Sequence, residues 1–349
     1  MDNLAAVFYG VNDLRLEQTP IPTPKDDEVL LKMEAVGICG TDLHVLNQGT
    51  IGSYIVETPL VMGHEGSATI EKIGKNVKHL KLGDRVAIEP LVGCRRCNYC
   101  RSGRYNLCPK VERVSSGRLV RHYVHDSDTC FKLPEHVTLE EGALLEPLSV
   151  SVHACKRGAI SFGDNVLVLG AGPIGLLALQ VAKAFGASKV VITDIVQWKL
   201  DVAKSLGADY AVLGKVDDSE DDIVKKIVDV LGTNPTKSID CVGIERTTRV
   251  AIKATISGGM VVLVGVGDDE IKIPSTDMLL REIDIRGVMG YANDYPTSIE
   301  LVASGKVNVK SLITHHFKIE DIHKAFHVAK NGEGNPIKIL IHVNPEWNY

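Results

Sequence analysis

Three short stretches of this 349-residue chain carry side chains of the kinds that hold metals or move protons. "CGTDLH" sets Cys39, Thr41 and His44 close together, "VMGHEG" puts His64 beside Glu65, and "LLEPLSV" places Glu146 inside an otherwise apolar run. A thiolate, an imidazole and carboxylates are donors suited to an open zinc site, in which a coordination position stays available to water or substrate. A carboxylate set among apolar residues is expensive to bury unless a metal or a cation answers it. Singly, each residue has a plainer role: Cys39 as a small core residue, His64 as a core or surface histidine, His44 as a surface histidine, Glu146 as a helix-start acid.

A fourth stretch, "CRRCNYCRSGRYNLC", concentrates Cys94, Cys97, Cys100 and Cys108 with spacing C-x2-C-x2-C-x7-C. Four thiolates fill a tetrahedral zinc shell and leave no open position, so this cluster predicts a structural zinc, a staple rather than a reactive centre. An iron–sulfur cluster is the rival, but the ferredoxin run it echoes has three residues before its last cysteine, not seven. Arg95, Arg96, Arg101 and Arg104 stand ready to offset the charge of a zinc tetrathiolate.

"GAGPIG" brings Gly170, Gly172 and Gly175 into G-x-G-x-x-G, with Pro173 and Ile174 opening the helix that follows. Glycines here permit a tight turn, close approach of backbone to a pyrophosphate and close helix–strand packing. Asp194 follows at the end of the next strand-like run, where an acidic residue holds the ribose hydroxyls and repels a 2′-phosphate, which favours NAD over NADP. Lys199 is expected along the adenine edge or in solvent.

These groups need elements to hold them. Up to about residue 150 the chain shows short β-like runs such as "EVLLKMEAVG", "SATIEKIG" and "GDRVAIEP", broken by Gly, Pro and Asp, which predicts an irregular, mainly β domain. From "NVLVLGAGPIGLLALQVAKAFGASKVVITD" onward, apolar strands alternate with amphipathic helices, the pattern of a parallel α/β sheet. The final "IKILIHV" needs a sheet to join and is assigned back to the first domain. Composition is ordinary: 44% hydrophobic, 24% charged, net charge −5, pI near 6.2. Neither a nucleic-acid nor a membrane partner is implied, and an amino terminus without a basic start or apolar stretch predicts a soluble cytoplasmic protein. In that reducing compartment clustered cysteines are expected as metal ligands rather than disulfides.

Taken together, "CGTDLH", "GHE", the four-cysteine loop, "KLPEHVTLEEGALLEPLSVSVHAC", "GAGPIG" and "SGKVNVKSLITH" resemble the zinc-containing medium-chain alcohol dehydrogenases, and within them the sorbitol (polyol) branch, over residues 4 to 343. The resemblance implies an α/β chain: a GroES-like, mainly β catalytic domain over 1–152 carrying both zinc sites, an inserted Rossmann NAD domain over 153–290, and a return to the catalytic domain over 291–349. It implies a catalytic zinc on Cys39, His64 and Glu65, with Glu146 a fourth ligand or the hydrogen-bond partner of water on the metal. It further implies a proton path from Thr41 through the nicotinamide ribose to His44, one catalytic and one structural zinc per subunit, NAD as coenzyme, and a homotetramer. His315 and His316 are left as structural.

Departures from the polyol pattern cluster where substrate is expected. Val45 stands in place of an aromatic residue, Gly290 in place of an Arg before Tyr291, Ala68 in place of a Gly, and the loop "KVERVSSGRL" is shorter than its polyol counterpart. They predict a wider, more apolar pocket, so a less polar secondary alcohol or diol is the alternative substrate to a sorbitol-like polyol. A non-catalytic structural or binding protein on a dehydrogenase scaffold is the alternative of another class, and the retained Cys39, Thr41, His44, His64, Glu65 and Glu146 argue against it.

Overall fold

The structure, a computed structural model, describes residues 2–52, 54–111 and 117–347. The chain divides into two compact units, one of Met1–Glu146 with Val309–Tyr349 and one of Pro147–Asn308. Residues 147–152 and 291–308, both assigned from sequence to the first domain, thus belong to the second unit. The reason is local: Asp294, at the head of the helix Tyr295–Ala303, is buried and binds His153 and Lys156, while Ser298 Oγ lies 2.9 Å from Ser149 Oγ.

The first unit is built on a seven-stranded sheet in the order Cys130–Lys132, Arg85–Ile88, Glu65–Ile73, Glu28–Gly37, Lys338–His342, Ile313–Lys318, with His122–Asp126 pairing beside Glu28–Gly37. Val29, Leu31, Met33 and Val36 of "EVLLKMEAVG" are sealed in a core shared with Ile70, Ile88, Phe326 and Ile341. Most pairs are antiparallel, but Ile313–Lys318 and Lys338–His342 run parallel. Parallel neighbours need a crossover, which the helix Ile322–Asn331 supplies. The last strand thereby lies against Glu28–Gly37, pairing Leu340 with Gly37.

The second unit holds a six-stranded parallel sheet in the order Tyr210–Leu213, Lys189–Asp194, Asn165–Leu169, Lys237–Asp240, Met260–Leu263, Asp284–Gly287. This is the doubly wound order, in which nucleotides bind beyond the carboxyl ends of the strands where the winding reverses. The helix Pro173–Ala184 forms where the sequence predicts one and is buried without a break from Gly175 to Ala182, while Ile174 and Phe185 of the expected apolar face are half-buried. Ser219 and Asp222 close a capping box at the start of Glu220–Leu231, and Gly232 ends that helix in the left-handed conformation. Among the described residues, no helix is long and apolar enough to cross a membrane.

Candidate active site

Strand register assembles the first cluster. Gly37 pairs with Glu65, so the chain leaving one strand carries Cys39 past the chain that enters the next through His64. Ligand atoms of Cys39, His64 and Glu65 all lie within 4.8 Å of one another. A Cβ at Gly37 would overlap Glu65 Oε2, so glycine is what lets the carboxylate lie across this strand. Cys39 caps the helix Gly40–Gln48, its Sγ accepting from the Thr41 N–H at 3.5 Å.

Two further residues hold this cluster from behind, and the sequence reading missed both. Asp42, fully buried, accepts the Cys39 N–H at 2.9 Å through Oδ2 and turns Oδ1 to within 3.3 Å of His64 Nδ1. Lys338, from the last strand and 3% exposed, places Nζ 2.7 Å from both Glu65 oxygens and 3.2 Å from the Ile38 carbonyl. Each left a signal: Asp42 sits at the capping-box position after Cys39, and a lysine inside the apolar run "IKILIHV" must find a buried partner.

Electrostatics suit a cation. Desolvation pulls His64 down, but the charges of Asp42 and Cys39 outweigh it and hold the imidazole well above its ordinary range. Desolvation likewise opposes Lys338, and Glu65 and then Cys39 raise it overall. His64 Nδ1 and Asp42 Oδ1 are buried without completing a hydrogen bond. A thiol, an imidazole and a carboxylate converging beside under-satisfied buried polar atoms fit a divalent metal better than an apolar core.

The other residues singled out from sequence fall at different distances from this cluster. Glu146, 5% exposed, heads the helix Leu145–Arg157 and lies outside the group of three mutually close ligand atoms, although its charge reaches Lys338. Thr41 and His44 occupy the first turns of the helix that Cys39 caps, and His44 Nδ1 lies 3.3 Å from Gln48 Oε1.

The four cysteines form a second, self-contained cluster, with all four sulfurs within 4.8 Å and Cys94 Sγ 4.0 Å from Cys100 Sγ. Zinc–sulfur bonds of about 2.3 Å place tetrahedral sulfurs about 3.8 Å apart, close to this spacing. Backbone N–H groups of Cys94, Cys100 and Lys110 point at the sulfurs of Cys108, Cys97 and Cys108, at 3.5, 3.5 and 3.3 Å. The Cys94 thiol is drawn down chiefly by the Arg96 N–H, whereas burial pushes Cys100 up. Gly93 makes room, since a Cβ there would stand 2.9 Å from Cys100 Sγ. Arg95 does not serve as the expected counter-charge, because it is bound to Asp126 at 2.6 Å and Asp128 at 3.3 Å.

In the second unit, Gly170 has φ +93°, and a Cβ on Gly175 would overlap the Gly170 carbonyl. A Cβ on Gly172 would meet nothing within 4 Å, and no side chain caps the helix that begins at Pro173. Open space before an uncapped helix start is an anion-ready feature, here in the turn that precedes Ile174. Asp194 accepts the Ala171 N–H at 2.7 Å and the Val196 N–H at 3.0 Å, which fixes its carboxylate at the strand end. With about four lone-pair sites, that carboxylate can still accept from hydroxyls. Lys199 Nζ sits 5.7 Å from the Trp198 ring centroid.

The expected apolar pocket finds little support. Val45 is 0% exposed and packed in the first unit's core, so it lines no opening. Gly290 has φ +52°, a backbone conformation that favours glycine over residues with a side chain. Ala68 is sealed in the strand ladder opposite Met33. Residues 112–116 of the shortened loop lie outside the described residues.

A doubly wound sheet with a phosphate-ready turn, and a metal-suited cluster in a mainly β unit, define an oxidoreductase that works with zinc and a nicotinamide coenzyme. Residues 25–135 match the alcohol dehydrogenase GroES-like domain and residues 173–304 the zinc-binding dehydrogenase domain. Over 347 residues the chain is 48% identical to sorbitol dehydrogenase of Macaca fascicularis, covering 98% of this chain and 96% of that one. Among solved structures, a short chain alcohol dehydrogenase from E. coli CFT073 complexed with NADH superposes with TM-score 0.90 at 26% identity, covering 98% and 100% of the two chains. The 2R,3R-butanediol dehydrogenase of Bacillus subtilis superposes with TM-score 0.87 at 28% identity, again covering 98% and 100%. The chain belongs to the zinc-binding alcohol dehydrogenase family.

Proposed function

We propose that the protein oxidises a secondary hydroxyl of a sorbitol-class polyol to the ketose, reversibly, with NAD as hydride acceptor. The observation that carries this reading is the convergence of Cys39, His64 and Glu65 in a chain nearly half identical to a sorbitol dehydrogenase throughout. Cys39, His64 and Glu65 would hold a zinc ion that would supply Lewis acidity toward an alcohol, and a bound nicotinamide coenzyme would supply the hydride acceptor. Asp42 orients the His64 ring. Lys338 holds Glu65 and balances its charge. Glu146, buried but outside the close trio, fits the role of hydrogen-bond partner to water better than that of a fourth ligand. The Thr41 hydroxyl relays the substrate proton, accepting it as it gives up its own towards His44, which lies one turn on, is partly exposed and passes the proton to solvent.

In this reading the four-cysteine loop holds a second, structural zinc. Glycines 170, 172 and 175, Pro173 and Ile174 seat the pyrophosphate, Asp194 binds the ribose, and Lys199 flanks the adenine. The resemblance to the polyol branch supports a homotetramer in the cytoplasm. The test is a side-by-side panel of sorbitol, xylitol, 2,3-butanediol and 2-butanol with NAD and with NADP. Sorbitol with NAD is expected to lead, with kcat/KM of roughly 10⁴ M⁻¹ s⁻¹ or more, inside the ordinary enzyme range. A tenfold lead for the diol or the simple alcohol, or for NADP, overturns the assignment of substrate or coenzyme.

A further inference from the structure

A third group of metal-capable side chains lies in the first unit and shares no residue with the two clusters above: Glu140, His316 and His342. His316 comes from the strand Ile313–Lys318 and His342 from its parallel neighbour Lys338–His342, where register places Phe317 and Lys318 opposite Ile341 and His342. Glu140 comes from the first turn of the short helix Leu139–Ala143. His316 Nδ1 and His342 Nε2 are 2.8 Å apart, and each stands 3.7 Å from Glu140 Oε1. A tetrahedral ion with bonds of 2.0–2.1 Å needs its N and O donors about 3.3 Å from one another. The triangle here has sides on either side of that value, so shifts of about half an ångström would fit it to such an ion.

We propose that Glu140, His316 and His342 form a binding site for a borderline divalent transition cation, of the Zn²⁺, Ni²⁺ or Cu²⁺ class. Two imidazoles with one carboxylate select these ions over Mg²⁺ or Ca²⁺, which prefer all-oxygen shells. The facing nitrogens of His316 and His342 now share one proton in a hydrogen bond. Moving that proton to the far nitrogen of its own ring frees both lone pairs without a net loss of protons. The site is also braced. Trp347 stacks on the His342 ring with centroids 3.6 Å apart and planes 8° off parallel, which fixes the ring that a metal must meet. The position is accessible, since the side chains of His316 and Glu140 are 33% and 31% exposed while that of His342 is 3% exposed.

Trp347 provides a readout independent of catalysis, because Ni²⁺ or Cu²⁺ on His342 would quench its emission. The experiment takes protein dialysed to two zinc per chain, titrates it with NiCl₂ while following tryptophan fluorescence, and then measures nickel and zinc per chain after a second dialysis. Wild type is expected to take up one nickel per chain with its zinc content unchanged and with saturable quenching. His316→Asn, at a partly exposed position, is expected to keep wild-type activity without added nickel. It should weaken nickel binding by more than the roughly 10- to 100-fold that loss of a supporting partner costs a metal site. Glu140→Gln should weaken it less. Equal nickel uptake and quenching in wild type and His316→Asn, or nickel entering wild type only as zinc leaves, would overturn the proposal.

Discussion

The two cysteine-containing clusters of the first unit differ in where their supporting partners come from. The four cysteines span fifteen residues, and the N–H groups aimed at their sulfurs belong to the same loop. Cys39, His64 and Glu65 instead depend on Asp42 one helical turn away and on Lys338, some 270 residues further along the chain than Glu65. A closed, local shell suits stability. In the proposed reading the trio, its His64 and Glu65 buried and backed by charges of both signs, serves chemistry, because its carboxylate and imidazole are held in place by distant partners.

The largest effect that separates the two is expected from Cys39→Ser. It should lower kcat/KM roughly a thousandfold or more, since about 4 kcal/mol or more of transition-state stabilisation rests on the metal. Metal analysis should find one zinc per chain rather than two, with thermal stability changed far less than activity. Near-normal turnover in this variant would remove Cys39 from the reaction.

Cys100→Ser should invert that pattern. Loss of one thiolate would empty the proposed structural shell, and a cost of about 3 kcal/mol would lower the Tm of the first unit by roughly 6–12 °C. Surviving protein should still bind coenzyme. An unchanged zinc content, or iron with acid-labile sulfide, would show that the loop is not a zinc staple.

A smaller effect tests the wall behind the cysteine loop. The Glu89 backbone carbonyl accepts from His125 at 2.8 Å while the Glu89 carboxylate accepts from the Tyr105 hydroxyl at 2.5 Å. His125 is 4% exposed, and burial first, with the charge of Arg118 second, holds its pKa down to about 3. The unfolded chain, with an ordinary histidine near 6.5, binds this proton over the window between the two values. Stability is therefore fully present above about 6.5 and is lost as pH falls towards 3. Between pH 7 and pH 5 wild type should lose about 2 kcal/mol more than His125→Gln in urea unfolding. Parallel pH profiles would show that His125 is not held neutral.

Legibility followed the same division between near and far. The cysteine loop and "GAGPIG" could be recognised directly because their partners are neighbours in the chain, and a tight turn or a metal knuckle leaves few ways to arrange such spacings. Helices such as Pro173–Ala184 and Glu220–Leu231 were equally plain, since the 3.6-residue period and the capping residues are local properties. Val45 shows the opposite case. Its neighbours suggested a pocket wall, yet helix rotation turns it fully into the core.

Residue types and short spacings thus specified the donors, the phosphate turn and the alternation of strands and helices. They did not specify that Lys338 would pair with Glu65, that Asp42 would stand behind His64, or that His316 and His342 would face Glu140. Those meetings depend on which strands pair and in what register. Gly37 opposite both Glu65 and Leu340 brings three distant segments together, and a slip of one residue would turn each of these side chains to the other face of the sheet. Register is chosen by burying whole faces of the sheet at once, a long-range free energy that no local spacing encodes.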